Sequence, residues 1–392
     1  MRIVVHDYAG HPFQVQLSRA LARRGHEVLH LYSSSIVTPQ GAMVKGPADP
    51  EGFRVQPLVL SQKIDRGKFF SRRKLEIEHG RLAVEAIKAF GPEVVLSANT
   101  PLEAQSQILK ESKAKSRRFV YWVQDLIGPA AKRLLPERVP VVGGWIGSIY
   151  DGLEQRMLAA SDQAVVISED FRPLIPLSSD RVRVIENWAP LEEVPVNEKV
   201  NPWSTKHGLD ARFVYLYSGT LGMKHNPELL IQLAKRVAEI PEHVMVVASE
   251  GASIDWLRER ANELGITNLV LLPFQPFADL PAMLASADVL VAILEPDAGV
   301  FSVPSKVLTY HCAGRPMLLA VPLENLSAKI VQTNQTGIVV SPADKEGFIE
   351  GAVRLASDPE ARRTMGANAR KYAERAFAID SITDQFETVL KG

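Results

Sequence analysis

The 392-residue sequence holds a single cysteine, Cys312, so no internal disulfide can form. That fits a reducing compartment, and its apolar neighbours give it the character of a buried, inert thiol. Neither charge sign is in excess: 45 lysines and arginines balance 45 aspartates and glutamates, which removes any argument for wholesale nucleic-acid binding. No window reaches the ~18–20 uninterrupted apolar residues that a membrane-crossing helix needs. The opening MRIVVHDYAG lacks a basic start followed by an apolar run, so it does not read as a signal peptide, and a cytoplasmic protein is expected. No G-x-G-x-x-G follows Arg2–His6, which disfavours a dinucleotide-dependent oxidoreductase, and the GxxxxGK[ST] spacing of a Walker loop is absent. There is no Asp-x-Asp and no clustered His/Cys pattern, so neither a metal nor a resident cofactor is expected. Short-period repeats and low-complexity tracts are missing as well.

What is present is the balance of a globular protein, 46% hydrophobic and 23% charged, with length for two domains. Short apolar runs alternate with amphipathic helical stretches. Arg2–Val5 is a strand, the loop Asp7–Pro12 follows, apolar residues from Val15 to Ala22 recur at helical spacing, Gly25 stops that helix, and Glu27–Leu31 is the next strand. The rhythm returns at 93–96, 119–123, 164–167 and 182–185, breaks in a proline-bearing polar stretch, and restarts at 213–217, 244–247, 269–272, 289–293, 317–320 and 337–340. The expected fold class is α/β: two doubly wound Rossmann-like domains, 1–188 and 205–375, facing across a cleft and joined by a linker at 189–204. Ligands of such sheets sit beyond the carboxyl ends of the strands, so the loops there are the ones to inspect.

Two such loops carry chemistry. In Tyr217–Pro227, Gly219 and Gly222 permit close backbone approach, the following helix offers free N–H groups, and Lys224 adds a full charge, a combination that suits a phosphate or diphosphate. In 295–316 a carboxylate, Glu295, leads through a glycine-containing loop to a helix beginning near Pro304-Ser305-Lys306, with Ser305 as a cap and Pro304 in the first turn. A lysine at a helix N-terminus opposes the macrodipole by ~0.3–1 kcal/mol unless an anion sits there, so Lys306 is either a ligand for one or a solvated side chain.

These stretches resemble the donor half of retaining family-4 glycosyltransferases of the GT-B fold, and most of all a bacterial subgroup that builds surface polysaccharides and includes L-fucosamine transferases. The resemblance spans nearly the whole chain, including the Gly10 loop, Trp122–Leu126 and Ile185–Trp188. It implies transfer of a sugar, with retention, from a nucleotide-diphosphate donor, UDP being the family's commonest nucleotide. Lys224 takes the family's diphosphate-binding lysine position. The family's paired glutamates seven residues apart are broken here: Glu295 takes the first role, near the transferred sugar, while Thr309 stands at the second, where it would bind a ribose hydroxyl more weakly than a carboxylate. Thr220 replaces a frequent arginine, which leaves Lys306 to supply the second cation. Glu250, with Gly251, matches another family loop, and Phe274 in Leu272–Phe274 would flank the base or simply end a core strand. Diphosphate release stabilised by lysines and helix amides needs no metal. A last helix, within about 376–392, is expected to pack back on the first domain.

The same resemblance assigns the acceptor to the first half, with Gly10, His11 and Asp125 as its residues; Asp125 equally suits a helix cap. Residues 62–74 set six cations around Phe69 and Phe70, which suits an anionic membrane surface, a polyprenyl-diphosphate-linked or other glycan acceptor, or a solvated loop. Gly143–Ile146 would add an apolar edge. Two other functions share these features: a sugar-nucleotide 2-epimerase of the same fold, and a sugar-nucleotide binder that has lost catalysis with the glutamate at Thr309.

Overall fold

In the computed structural model, residues 1–36, 40–62, 69–98, 100–222, 225–295 and 304–392 are described. The chain divides into two units, Met1–Asn187 with Ile379–Gly392, and Trp188–Ala378.

The first unit is a seven-stranded parallel sheet in the order β3-β2-β1-β4-β5-β6-β7. Its strands are β1 (Arg2–Asp7), β2 (Glu27–Ser33), β3 (Phe53–Leu58), β4 (Val94–Ala98), β5 (Arg118–Val123), β6 (Gln163–Val166) and β7 (Val182–Val184). Between them run α1 (Pro12–Arg23), α2 (Phe69–Phe90), α3 (Leu102–Ala114), α4 (Ile127–Arg138) and α5 (Gly143–Ala160). Ile3, Val4 and Val5 are all buried, as consecutive residues must be when both sheet faces are covered.

The second unit has a six-stranded parallel sheet in the order β10-β9-β8-β11-β12-β13. After α6 (Pro202–Lys206) come β8 (Phe213–Ser218), α7 (Glu228–Val237), β9 (His243–Ala248), α8 (Ala252–Glu263), β10 (Leu269–Leu272), α9 (Leu280–Ala285), β11 (Val289–Ile293), α10 (Ser305–Ala313), β12 (Met317–Ala320), α11 (Leu326–Thr333), β13 (Gly337–Val340), α12 (Lys345–Ser357) and α13 (Pro359–Ala376). Strand order reverses between β1 and β4 in one sheet and between β8 and β11 in the other, which sets the place of a ligand in each.

The final helix, α14 (Ile379–Lys391), returns to the first unit. Phe386 meets the Trp122 ring at 4.7 Å between centroids, and His26 Nε2 lies 2.8 Å from the Glu387 carboxylate.

Residues 189–204, expected as a linker, are part of the second unit. The Arg370 guanidinium donates to the carbonyls of Val194 and Cys312 at 3.1 and 2.8 Å, and Arg315 donates to Asn197. The Lys199 ammonium reaches Asp288 at 2.6 Å, and Asn201 caps α6 through Trp203 and Ser204. Arginines from elsewhere in the second unit thus satisfy carbonyls of this segment, which is packed rather than free.

Candidate functional site

In the second unit the strands part where the order reverses. Parallel pairing of β8 with β9 runs the full length Phe213–Ser218, but β8 and β11 pair only at Tyr215–Val289 and Leu216–Leu290. Beyond those pairs the Tyr310 side chain rises from α10 into the gap. Its hydroxyl accepts from the Ser218 amide at 3.0 Å and lies 3.2 Å from the Val291 carbonyl, so one side chain ties the ends of both strands.

The glycine loop begins at the next residue. Gly219 has φ +112°, a value that disfavours any side chain, and a Cβ there would fall 3.3 Å from Lys306 Cε. Lys306 lies over the Tyr217 ring, its ammonium 3.6 Å from the centroid, and donates to the Thr220 carbonyl at 3.3 Å. That carbonyl also accepts from the Tyr217 hydroxyl at 2.8 Å. Burial pushes the Lys306 amine down to about 7. Gly222 donates its amide to His225 Nδ1 at 3.0 Å. Lys224 lies outside the described residues.

The other residues expected at the donor site share this sheet edge. Glu250 follows β9 and accepts from the Phe274 amide, which follows β10, at 3.2 Å. Glu295 follows β11, and Thr309 sits on α10 three residues beyond Lys306; both are half-buried. Ser305 does not cap α10: the cap position is Pro304, where no side-chain cap bond forms, and the Val307 amide donates to the Pro304 carbonyl at 3.0 Å. Cys312 is buried as expected, its thiol pushed up to about 12 by that burial.

In the first unit Gly10 turns the chain at φ +79°, with the Gln40 amide nitrogen only 3.0 Å from the position of a Cβ, closer than a side chain would comfortably sit. His11 begins α1, its Nδ1 3.0 Å from Asp7 Oδ1. Asp7 is the last residue of β1 and is fully buried. It also accepts from the amides of Ala9 and His11. Burial opposes both charges, but the pairing wins: Asp7 is held below its usual range and His11 is raised, helped by the nearby charge of Asp125. Asp125 is exposed and does not cap the next helix, whose cap position is Leu126. That helix start is satisfied instead by Glu154, which accepts from Gly128 at 2.7 Å and Ile127 at 3.3 Å.

Of the basic stretch at 62–74, residues 63–68 lie outside the described residues. Arg72 and Arg73 pair with Glu76 and Glu103 at 3.1 and 3.0 Å. Sequence reading missed Asp7, Tyr217 and Tyr310. Only Asp7 left a signal, a carboxylate four residues before His11 at a strand end.

Residues 200–372 match the model of the family described as glycosyl transferases group 1. WcaI of Escherichia coli (strain K12), named as a colanic acid biosynthesis glycosyl transferase, is 22% identical over 257 residues, 64% of this chain and 62% of WcaI. The chain thus spans less than two thirds of that relative. A sucrose-phosphate synthase from Thermosynechococcus elongatus superposes with a TM-score of 0.73 at 17% identity, covering 100% of this chain and 98% of the other. Anabaena Alr3699/HepE, solved in complex with UDP-glucose, superposes with a TM-score of 0.71 at 14% identity over 100% and 99%. At such identities the superpositions establish the fold, two parallel-sheet α/β units in the GT-B manner. The family match lies wholly within the second unit, around the Gly219 loop and α10.

Proposed function

We propose that the chain transfers a sugar, with retention, from a UDP-linked donor to a glycan or polyprenyl-diphosphate-linked acceptor in the biosynthesis of a surface polysaccharide. The observation that carries this reading is the family match falling on the parted ends of β8 and β11, where a left-handed glycine, a half-buried lysine and an uncapped helix N-terminus converge. The chemistry at such a place is departure of a diphosphate. The Gly219 backbone and first-turn amides of α10 would bind its oxygens, with Lys306 and Lys224 as counter-charges. Glu295 would hold the transferred sugar and Thr309 a ribose hydroxyl, with Glu250 and Phe274 beside the base. Gly10, His11 and Asp125 would hold the acceptor.

The role named for WcaI and the UDP-glucose of the HepE complex support a polysaccharide product and a uridine donor. Charge neutralisation by two lysines supports a reaction without metal, and the sequence supports a cytoplasmic protein touching the membrane at its periphery.

Thermal unfolding with UDP, GDP and ADP, on wild type and on Gly219→Ala, tests the reading. A ligand at 100 times its Kd stabilises by ~2.7 kcal/mol. A shift with UDP that is lost in Gly219→Ala is expected; no shift with any nucleotide would sink it. Hydrolysis or epimerisation of the donor without acceptor would favour the epimerase.

A further inference from the structure

A chain of buried hydrogen bonds crosses the first sheet where its strand order reverses. His6 on β1 and His79 on α2 face each other with their Nε2 atoms 2.7 Å apart, and both residues are fully buried. His6 Nδ1 lies 3.0 Å from the Ser97 hydroxyl on β4 and 3.1 Å from that of Thr100 just beyond it. Each hydroxyl has one proton to give. Ser97 donates to the Gln105 amide oxygen at 2.6 Å, and Thr100 to the Ala98 carbonyl at 2.7 Å. Toward His6 both can only accept, so His6 carries its proton on Nδ1 and its Nε2 is bare. The proton between the rings then belongs to His79 Nε2. The lone pair of His79 falls on Nδ1, which is buried with no hydrogen-bond partner among the described residues. The two rings are therefore opposite tautomers.

This network has no place for a further proton. On His6 Nε2 it would set two N–H groups head to head. On His79 Nδ1 it would leave a buried cation without an acceptor. The surroundings do not compensate. Asp7 favours a charged His79, but burial outweighs it and pushes the ring down to about 3. His6 is held well below its ordinary value by burial, by His79 and by His30 on β2. His30, beside the Ser18 hydroxyl at 2.9 Å, is pushed down to about 4 by burial, against Asp7 and with Arg19 and His11 adding to the effect. On the α2 side the Tyr8 ring meets His79 edge-on at 4.7 Å, its hydroxyl raised by burial and Glu76 against Arg72.

Unfolded imidazoles titrate near 6.5, so each of these rings takes up a proton when the structure around it opens. Their contribution to stability is full above about pH 6.5 and is lost as pH falls toward the folded values. The opening equilibrium rises about tenfold per pH unit for each such ring. Among the described residues the first unit holds three fully buried histidines, His6, His30 and His79, and the second unit one, His311.

We propose that the His6–His79 pair is an acid-sensitive latch: mild acid opens the carboxyl ends of β1 and β4, and with them the Asp7–His11 turn, while the second unit stays folded. The latch goes beyond the transferase reading, because it needs neither donor nor acceptor.

Imidazole nitrogen resonances of the wild-type chain test the tautomers. A proton on His6 Nδ1 and on His79 Nε2 is expected, with neither ring titrating between about pH 7 and 5. Hydrogen exchange of the full chain, corrected for intrinsic rates, tests the opening. From about pH 6 to 5 the opening constant of β1 and β4 should rise about a hundredfold or more, and that of β8 and β11 about tenfold. His79→Gln keeps an N–H for His6 but cannot take the proton, so its rise in β1 and β4 should be about tenfold smaller. Matching tautomers, a midpoint near 6.5 for either ring, or equal rises in the two sheets would overturn the proposal. So would an undiminished rise in a folded His79→Gln; should that variant fail to fold, the wild-type resonances and exchange decide alone.

Discussion

The Tyr310 hydroxyl accepts the Ser218 amide across 92 residues of sequence and closes, with one side chain, the gap that β8 and β11 leave at their ends. Tyr310→Phe removes the hydroxyl's contacts to both strands, the Ser218 amide and the Val291 carbonyl, and keeps the ring. Loss of these contacts should cost about 1–3 kcal/mol, read as a lower urea midpoint. It should also release the Gly219 loop, so UDP affinity measured by calorimetry should drop severalfold more than for a surface variant of equal stability. Unchanged affinity would show that the loop holds its shape without this tie.

Lys306 gives the site a pH dependence of known sign. Its amine is pushed down to about 7, so it loses charge as pH rises through that value. A bound diphosphate favours the charged form, and binding at pH above about 7 must take up a proton. UDP affinity should therefore fall from about pH 7 to 9, and calorimetry in buffers of different ionisation heat should reveal the uptake. Lys306→Arg should keep affinity and abolish the uptake; Lys306→Ala should lower affinity about tenfold or more.

The Asp7–His11 pair predicts a titration. Asp7 raises the His11 pKa against the effect of burial, so Asp7→Asn should lower it. Proton resonances of the imidazole, followed against pH, report this directly. An unmoved midpoint would assign the raised value to Asp125.

Cys312 should be silent in the native protein. Burial raises its thiol to about 12, and the Sγ lies 3.7 Å from the Leu308 carbonyl. A thiol reagent at about pH 8 should label it only in denaturant, so labelling measures opening of the second unit. Rapid labelling of the folded chain would contradict that burial.

The sheets were legible because strands covered on both faces must be apolar throughout, and runs such as Val289–Ile293 can be little else. Gly219 could be picked out because a glycine after a strand lets the backbone approach a ligand, and Lys306 because a lysine opposes the dipole of the helix it opens. The rest fell to contacts distant in sequence. Nothing around Tyr310 announces Ser218, and nothing near Lys306 announces the ring of Tyr217. The stretch 189–204 looked like a linker because nothing in it announces Arg315 and Arg370, which bind its carbonyls from more than a hundred residues away. Ser305 and Asp125 looked like caps, yet each helix begins one position away from where its best capping residue stands.

Because α14 completes the first unit only after the whole second unit has been threaded, vectorial synthesis leaves Trp122 waiting for Phe386. The ribosome delivers the second sheet entire while the first still lacks its closing helix. A nascent chain paused near residue 378 would expose an indole to chaperones, and the unit begun first is the one completed last.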